Sequence, residues 1–230
     1  MYSINPSTGE KNWQLATSLT FLKSNYQNNF AIDPVSKNVF FLNTSGELYS
    51  INFETNNINW VLNFNSKSLG GDTELFLSQP LVIKNTDLII TTEEAILSYN
   101  MQNGSKNWLF SSKSIFKPIV TKNNVFIILK NNLLVSLDSS NGDVLWSKNI
   151  YKNIQQKKIR DKFNSIADFK IVNNEINIYS KNGYLLSFDP ANGNLSSANR
   201  ISKSGIASEI IFLNSNMFLM DNKNRLLKFN

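Results

Sequence analysis

The sequence contains no cysteine and no histidine. Without cysteine there is no disulfide framework, no thiolate metal ligand and no cysteine nucleophile. Without histidine the commonest general base and the commonest metal ligand are both missing, which weighs against an enzyme. Charge is sparse, at 17% of residues. There is no run of about 18 apolar residues of the kind a transmembrane helix needs. The N-terminus also lacks the basic-then-apolar pattern of a secretory signal, so the sequence as written carries no visible address.

What is present is a chain of 230 residues, 41% hydrophobic, in which about one residue in six is asparagine. That length buries a sizeable core, and one domain over 1–230 is the expectation. The surface must be built largely from uncharged amides and hydroxyls. The balance of 23 Lys+Arg against 17 Asp+Glu gives a net charge of +6. This is enough for a general attraction to anions but not for a nucleic-acid footprint, so no nucleic-acid partner is expected.

Self-similarity dominates the chain. The stretch LVSLDSSNGDVLW, ending at Trp146, recurs as YSINPSTGEKNW to Trp13, LYSINFETNNINW to Trp60 and ILSYNMQNGSKNW to Trp108. A fifth copy, LLSFDPANGNLSS, has Ser197 in place of the tryptophan, and LLKFN at the chain end carries a trace of a sixth. Aligned on Ser3, Ser50, Ser98, Ser136, Ser187 and Lys228, the spacings are 47, 48, 38, 51 and 41, which bracket the blade length of a β-propeller. Six residues after each serine stands Gly9, Asn56, Gly104, Gly142 or Gly193, residue types that accept positive φ in a tight turn. DSSNGD at 138–143 superficially suggests a Ca²⁺ loop, but it is this turn, and it lacks the distal bidentate glutamate.

Ahead of each complete hairpin lie two short β-rich runs divided by a polar turn, such as PIVT and VFIILK. Together with the hairpin they make four strands per unit. The fold class expected is therefore all-β, a propeller of four-stranded antiparallel blades. Complete blades are expected at about 30–64, 78–111, 116–149 and 166–200, with partial blades at 1–16 and 207–230. The first unit lacks its inner strands and the last lacks its outer one, so the chain reads either as an N-terminally shortened part of a larger ring or as an imperfectly closed ring of about five blades. The first is preferred. Trp13, Trp60, Trp108 and Trp146 are expected to pack between blades rather than to bind a ligand.

The pattern Asp/Asn-x-x-x-Gly-x-x-x-Trp resembles the tryptophan-docking repeat of the PQQ-like propeller superfamily, over nearly the whole chain. That superfamily includes quinoprotein dehydrogenases as well as non-catalytic scaffolds, so fold alone does not give function. The dehydrogenases hold their quinone beside a tryptophan, often a vicinal cysteine pair, and Ca²⁺ with a catalytic aspartate. Here cysteine is absent and the acidic residues show no spacing suited to a hard-cation cage, so no cofactor, metal or catalytic residue is expected. The C-terminal stretch NGYLLSFDPANGNLSSANRISKSG…LLKFN resembles the last blades of the family of the B subunit of the outer-membrane β-barrel assembly machinery, an eight-bladed lipoprotein.

That resemblance implies a periplasmic, outer-membrane-associated scaffold whose partner is a periplasmic domain of the barrel-forming subunit. Membrane anchoring would come only through a lipidated N-terminus absent from this sequence. The alternatives are a fragment of a quinoprotein dehydrogenase, or a propeller of this type with another partner. In the family, one partner loop is apolar then basic; SLTFLK at 18–23 is similar, which implies contacts by Leu19, Phe21, Leu22 and Lys23. A second family loop is acidic and precedes a strand-opening proline. GDTELFLSQP offers Asp72 and Glu74 there, although Leu75 and Leu77 occupy the positions nearer the proline. A third connection, at 149–166, is long and basic. Ile150 and Ile154, and likewise Ile159 and Phe163, are spaced as on a short helix. Lys157, Lys158, Arg160 and Lys162 are either solvated or poised to meet anionic headgroups.

Overall fold

The structure is a computed structural model that describes residues 1–16, 29–64, 76–114, 116–152, 154, 157–163 and 165–229. Its strands form six antiparallel sheets, each a simple up-and-down meander. Sheet 1 has β1 (Tyr2–Ile4) and β2 (Lys11–Gln14), and sheet 2 has β3 (Asn29–Asp33), β4 (Asn38–Leu42), β5 (Glu47–Asn52) and β6 (Ile58–Asn63). Sheet 3 comprises β7 (Val82–Lys84), β8 (Asp87–Thr91), β9 (Ile96–Asn100) and β10 (Lys106–Phe110). Sheet 4 comprises β11 (Ile119–Val120), β12 (Asn124–Ile128), β13 (Leu133–Asp138) and β14 (Val144–Asn149). Sheet 5 is built from β15 (Ile166–Val172), β16 (Glu175–Ser180), β17 (Tyr184–Phe188) and β18 (Leu195–Arg200), and sheet 6 from β19 (Ile211–Leu213), β20 (Asn216–Met220) and β21 (Leu226–Phe229). Four complete sheets are thus flanked by a two-stranded and a three-stranded one, in agreement with the fold class read from the repeats. A single turn of helix, α1 (Lys157–Arg160), interrupts the all-β pattern.

The chain divides into two compact units, Met1–Lys113 and Ser114–Asn230. In the four-stranded sheets of both units the second strand is deeply buried. The second strands NVFFL, DLIIT, NVFII and EINIYS each open on a polar residue and are then mostly apolar, and nearly all of the residues after the first are buried, Thr91, Asn177 and Ser180 included. A strand with only one buried face would alternate instead. Fourth strands do alternate, as in INWVLN of β6, because they lie at a sheet margin. In the first unit, Phe40, Leu42 and Leu48 of sheet 2 pack on Leu81, Leu88, Ile90 and Met101 of sheet 3. In the second, Phe126, Ile128 and Leu134 share a cluster with Phe169, Ile178, Leu186 and Phe188.

Asparagine has a positional reason. Seven of the nine non-glycine residues at positive φ among the described residues are asparagine: Asn56, Asn85, Asn132, Asn173, Asn174, Asn214 and Asn224. A short amide side chain tolerates the left-handed region and hydrogen-bonds its own turn. Hairpin tips therefore account for part of the residue's abundance.

Candidate functional site

The recurring hairpin is the frame from which any loop is displayed, and one geometry builds all five copies. The side-chain oxygens of Asn5, Asn52, Asn100, Asp138 and Asp189 accept the backbone N–H two residues on, at 2.9, 3.0, 2.8, 2.7 and 2.9 Å. Their carbonyls accept the N–H of Gly9, Asn56, Gly104, Gly142 and Gly193 at 2.8 to 2.9 Å. These last residues have φ between 60° and 79°. The acidic or amide residue and the glycine are thus two ends of one turn. Ser50, Ser98 and Ser136 are wholly buried, and each hydroxyl meets an amide nitrogen, of Asn59 at 3.3 Å, Asn107 at 3.2 Å and Asn124 at 3.0 Å. Each buried polar group is thereby satisfied.

The tryptophans close the packing between sheets. Trp60 lies against Gly104 of the next sheet, where a Cβ would fall 3.0 Å from its Cδ2, and its indole N–H donates to the Met101 carbonyl at 3.0 Å. Trp146 repeats this on Gly193 and the Pro190 carbonyl, also at 3.0 Å. Glycine is required at these two turns both by the positive φ and by the indole lying across it.

The candidate contacts read from the sequence fall in the stretches that do not repeat. Leu19, Phe21, Leu22 and Lys23, and Asp72 and Glu74, all lie outside the described residues. The residues on either side of these stretches are described. Leu15, before the first connection, packs on Val39, Tyr49 and Ile51. The second connection is pinned at both ends by aromatic stacking: Phe64 and Phe76 have ring centroids 5.9 Å apart, and Phe64 meets Tyr99 edge-on at 5.7 Å. Burial in this cluster pushes the Tyr99 hydroxyl up from its ordinary value. Asn29, where the first connection ends, donates its amide to the Ser78 carbonyl at 3.1 Å, just beyond the end of the second. Asn29 and Ser78, which follow the two stretches in sequence, are therefore tied together in the first unit. Sequence reasoning missed Asn29, Phe64 and Ser78, because nothing in their local pattern marks them.

The third connection, in the second unit, is anchored by its apolar residues. Ile150, Ile154, Ile159 and Phe163 are all buried, and Tyr151 meets Phe163 edge-on at 5.7 Å. The helical spacing read from the sequence is realised only at α1, extended by the Phe163 N–H to Ile159 carbonyl bond at 2.7 Å; Ile150 sits in a turn instead. Lys152, Lys157, Arg160 and Lys162 are exposed. Among the described residues no three or more Asp, Glu, His or Cys side chains converge as a metal site would require.

A family model described as outer membrane protein assembly factor BamB matches residues 1–109 and again 71–230. The chain belongs to the BamB family. BamB from Moraxella catarrhalis superposes with a TM-score of 0.71 at 13% identity, covering 99% of this chain and 65% of that one. This family member therefore spans slightly less than two thirds of that BamB. The Cps50 (Swd1) β-propeller domain of Myceliophteria thermophila gives 0.61 at 11% identity, over 90% of this chain and 66% of that one. The computationally designed Ika8 protein gives 0.52 at 10% identity, over 88% and 70%. At such identities these likenesses establish the fold: the sheets are β-propeller blades. No curated protein sequence matches the chain.

Proposed function

We propose that the chain is a non-catalytic scaffold of outer-membrane β-barrel protein assembly, working in the periplasm in association with the outer membrane. The observation that carries this reading is the BamB family match, which extends over both units. The mechanism is rigid display. Stacked blades hold their connecting loops in fixed geometry, and a periplasmic domain of the barrel-forming subunit docks on those loops with no chemistry performed. The contacts fall on Leu19, Phe21, Leu22 and Lys23 of one connection and Asp72 and Glu74 of the next. The tie between Asn29 and Ser78 supports treating the two connections as one surface. Lack of histidine and cysteine suits a scaffold, since most acid–base and thiol chemistry is closed to it.

The test is co-purification with the periplasmic domain of the barrel-forming subunit. The unaltered chain is expected to retain it. Leu22→Asp with Lys23→Glu is expected to lose it, and Asp72→Lys with Glu74→Lys to weaken it, while far-UV circular dichroism stays unchanged. Failure of the unaltered chain to bind would sink the scaffold reading. Full binding by both double variants would remove these loops from the contact surface.

A further inference from the structure

The net charge of the chain is unevenly placed. The second unit, Ser114–Asn230, carries 16 Lys and Arg against 8 Asp and Glu, so the positive excess of the whole chain lies in it. Within that unit the topology separates the signs. Sheet 4 pairs Leu133 with Asn149, so the β12–β13 turn and the end of β14 share one margin, where the Ile150 N–H donates to the Asn132 carbonyl at 3.1 Å. Sheet 5 pairs Tyr184 with Arg200 and Ile166 with Ser180, which puts the β16–β17 turn, the end of β18 and the start of β15 on one margin too. The connection at 149–166 runs from the first of these margins to the second. Along them stand Lys130 in one turn, Lys181 in the other, Lys203 after β18, and Lys152, Lys157 and Lys162 in the connection, all exposed. The other margins of the same two sheets carry Asp138, Asp143, Glu175 and Asp189 against Lys122.

These six lysines are displayed from a fixed frame and are not neutralised. Ile150, Ile154, Ile159 and Phe163 hold the connection in a cluster shared with Ile128 and Leu134 of sheet 4 and Tyr184 of sheet 5. The Lys181 N–H donates to the Ser165 carbonyl at 2.8 Å, and its carbonyl accepts the Ile206 N–H, also at 2.8 Å. Among the described residues of this unit the ion pairs are Arg160 with Asp161 at 3.9 Å, Lys170 with Asp168 at 3.1 Å and Arg225 with Asp221 at 2.6 Å, and none includes these lysines. Asp161 is the one acid in the connection and the two turns. Arg200 spends its guanidinium on the Ser202 and Lys203 carbonyls, at 3.2 and 3.0 Å, and lies over the Tyr184 ring. A pocket for a single phosphate uses arginine forks, and a groove for nucleic acid uses aromatic faces on which bases stack. Separate ammonium point charges spread over two turns and a connection suit a broad surface of many phosphates, where the attractions sum.

We propose that the lysine-bearing margin of sheets 4 and 5 seats on an anionic membrane surface, its ammonium groups meeting lipid phosphates. The loop contacts proposed above lie in the other unit, and either reading stands if the other fails. The test is flotation of the whole chain with phosphatidylcholine vesicles prepared with and without phosphatidylglycerol. Binding is expected only to the anionic vesicles, and should be lost at about 1 M salt, where the screening length falls to about 3 Å. Each lysine near such a surface strengthens binding about fivefold, so Lys157→Gln with Lys162→Gln should weaken it roughly 25-fold, and Lys130→Gln with Lys181→Gln by a similar factor. Lys122→Gln, on the opposite margin, should leave it unchanged. All five side chains are exposed, and far-UV circular dichroism checks that each variant keeps its fold. No binding, equal binding to neutral vesicles, or a loss from Lys122→Gln as large as that from each of the other lysines would overturn the proposal. Displacement by inorganic phosphate at matched ionic strength would do so by making the margin a site for a free anion, and tighter binding of polyglutamate than of vesicles by making an acidic polypeptide the partner.

Discussion

Replacing Gly193 by alanine isolates the energetics of tryptophan docking. A Cβ at Gly193 would lie 2.5 Å from Cζ3 and 2.6 Å from Cε3 of Trp146, and 2.8 Å from Cγ of Lys148. The lysine stem can swing aside. The indole cannot, because its N–H is held by the Pro190 carbonyl at 3.0 Å. Two costs add. A non-glycine residue in the left-handed region, here at φ +70, costs about 1 to 2 kcal/mol. Overpacking against a fixed ring costs about 1 to 3 kcal/mol more. The substitution is therefore expected to destabilise by about 2 to 5 kcal/mol. In a Trp146→Ala background the second cost vanishes and only the backbone term remains. A double-mutant cycle in urea, followed by far-UV circular dichroism, should show a coupling of about 1 to 3 kcal/mol. Hydrogen exchange across residues 189–194 provides the local readout. Additivity of the two changes within about 0.5 kcal/mol would refute the docking argument.

Three further outcomes follow from buried polar groups. The buried Asp168 carboxylate accepts the N–H of Phe169 at 2.8 Å and of Ile210 at 2.9 Å and pairs with Lys170 at 3.1 Å, joining sheet 5 to the segment entering sheet 6. Asp168→Ala leaves these donors unpaired and should cost about 2 to 4 kcal/mol in urea melts, with Asp168→Asn milder. Asp221 is held below the usual carboxylate range, first by its hydrogen bonds from the Arg225 guanidinium, so its contribution is present above the unfolded value and is lost as pH falls through the lower folded one. An NMR titration should place its carboxyl below the ordinary 3.8, and Arg225→Met should return it toward that value. Burial, and then the charge of Asp168, pushes the Tyr179 phenol from 10 up to about 12, so the stability it confers is complete below pH 10 and is lost as pH approaches 12. Absorbance at 295 nm should lose its latest phenolate transition in Tyr179→Phe, and a transition retained in that variant would contradict the assignment.

What could be read from the sequence was whatever each repeat solves locally. The Asx turn, the positive-φ residue and the buried serine lie within a dozen residues of one another, so the same side chains recur at fixed spacing. Four strands per unit were legible for the same reason, through runs such as NVFII. The partners of the tryptophans were not, because Trp60 meets the turn of the following repeat and no local pattern says which way it leans. Nor was the anchorage of the connections. Asn29 is one asparagine among many, and only the fold brings its amide to the Ser78 carbonyl. The basic third connection misled in part: its isoleucine spacing suggested two helical turns, but burial of Ile150 and Ile154 is met by turn geometry, and only Ile159 and Phe163 needed a helix.

One departure from the repeat lies at a tryptophan seat. The turn positions Gly104 and Gly193 let an indole lie flat on backbone, and the equivalent position in sheet 2 is Asn56, at φ 60. An indole seated there as deeply as Trp60 on Gly104 would meet a Cβ at about 3 Å, closer than nearly all real contacts of that kind. Trp13, the residue that would dock there, lines a cavity with Phe53. The seat beneath the first tryptophan therefore differs from the two that follow at the residue on which the indole would lie, Asn56 in place of glycine, and the difference is set by one position of the turn rather than by the strands.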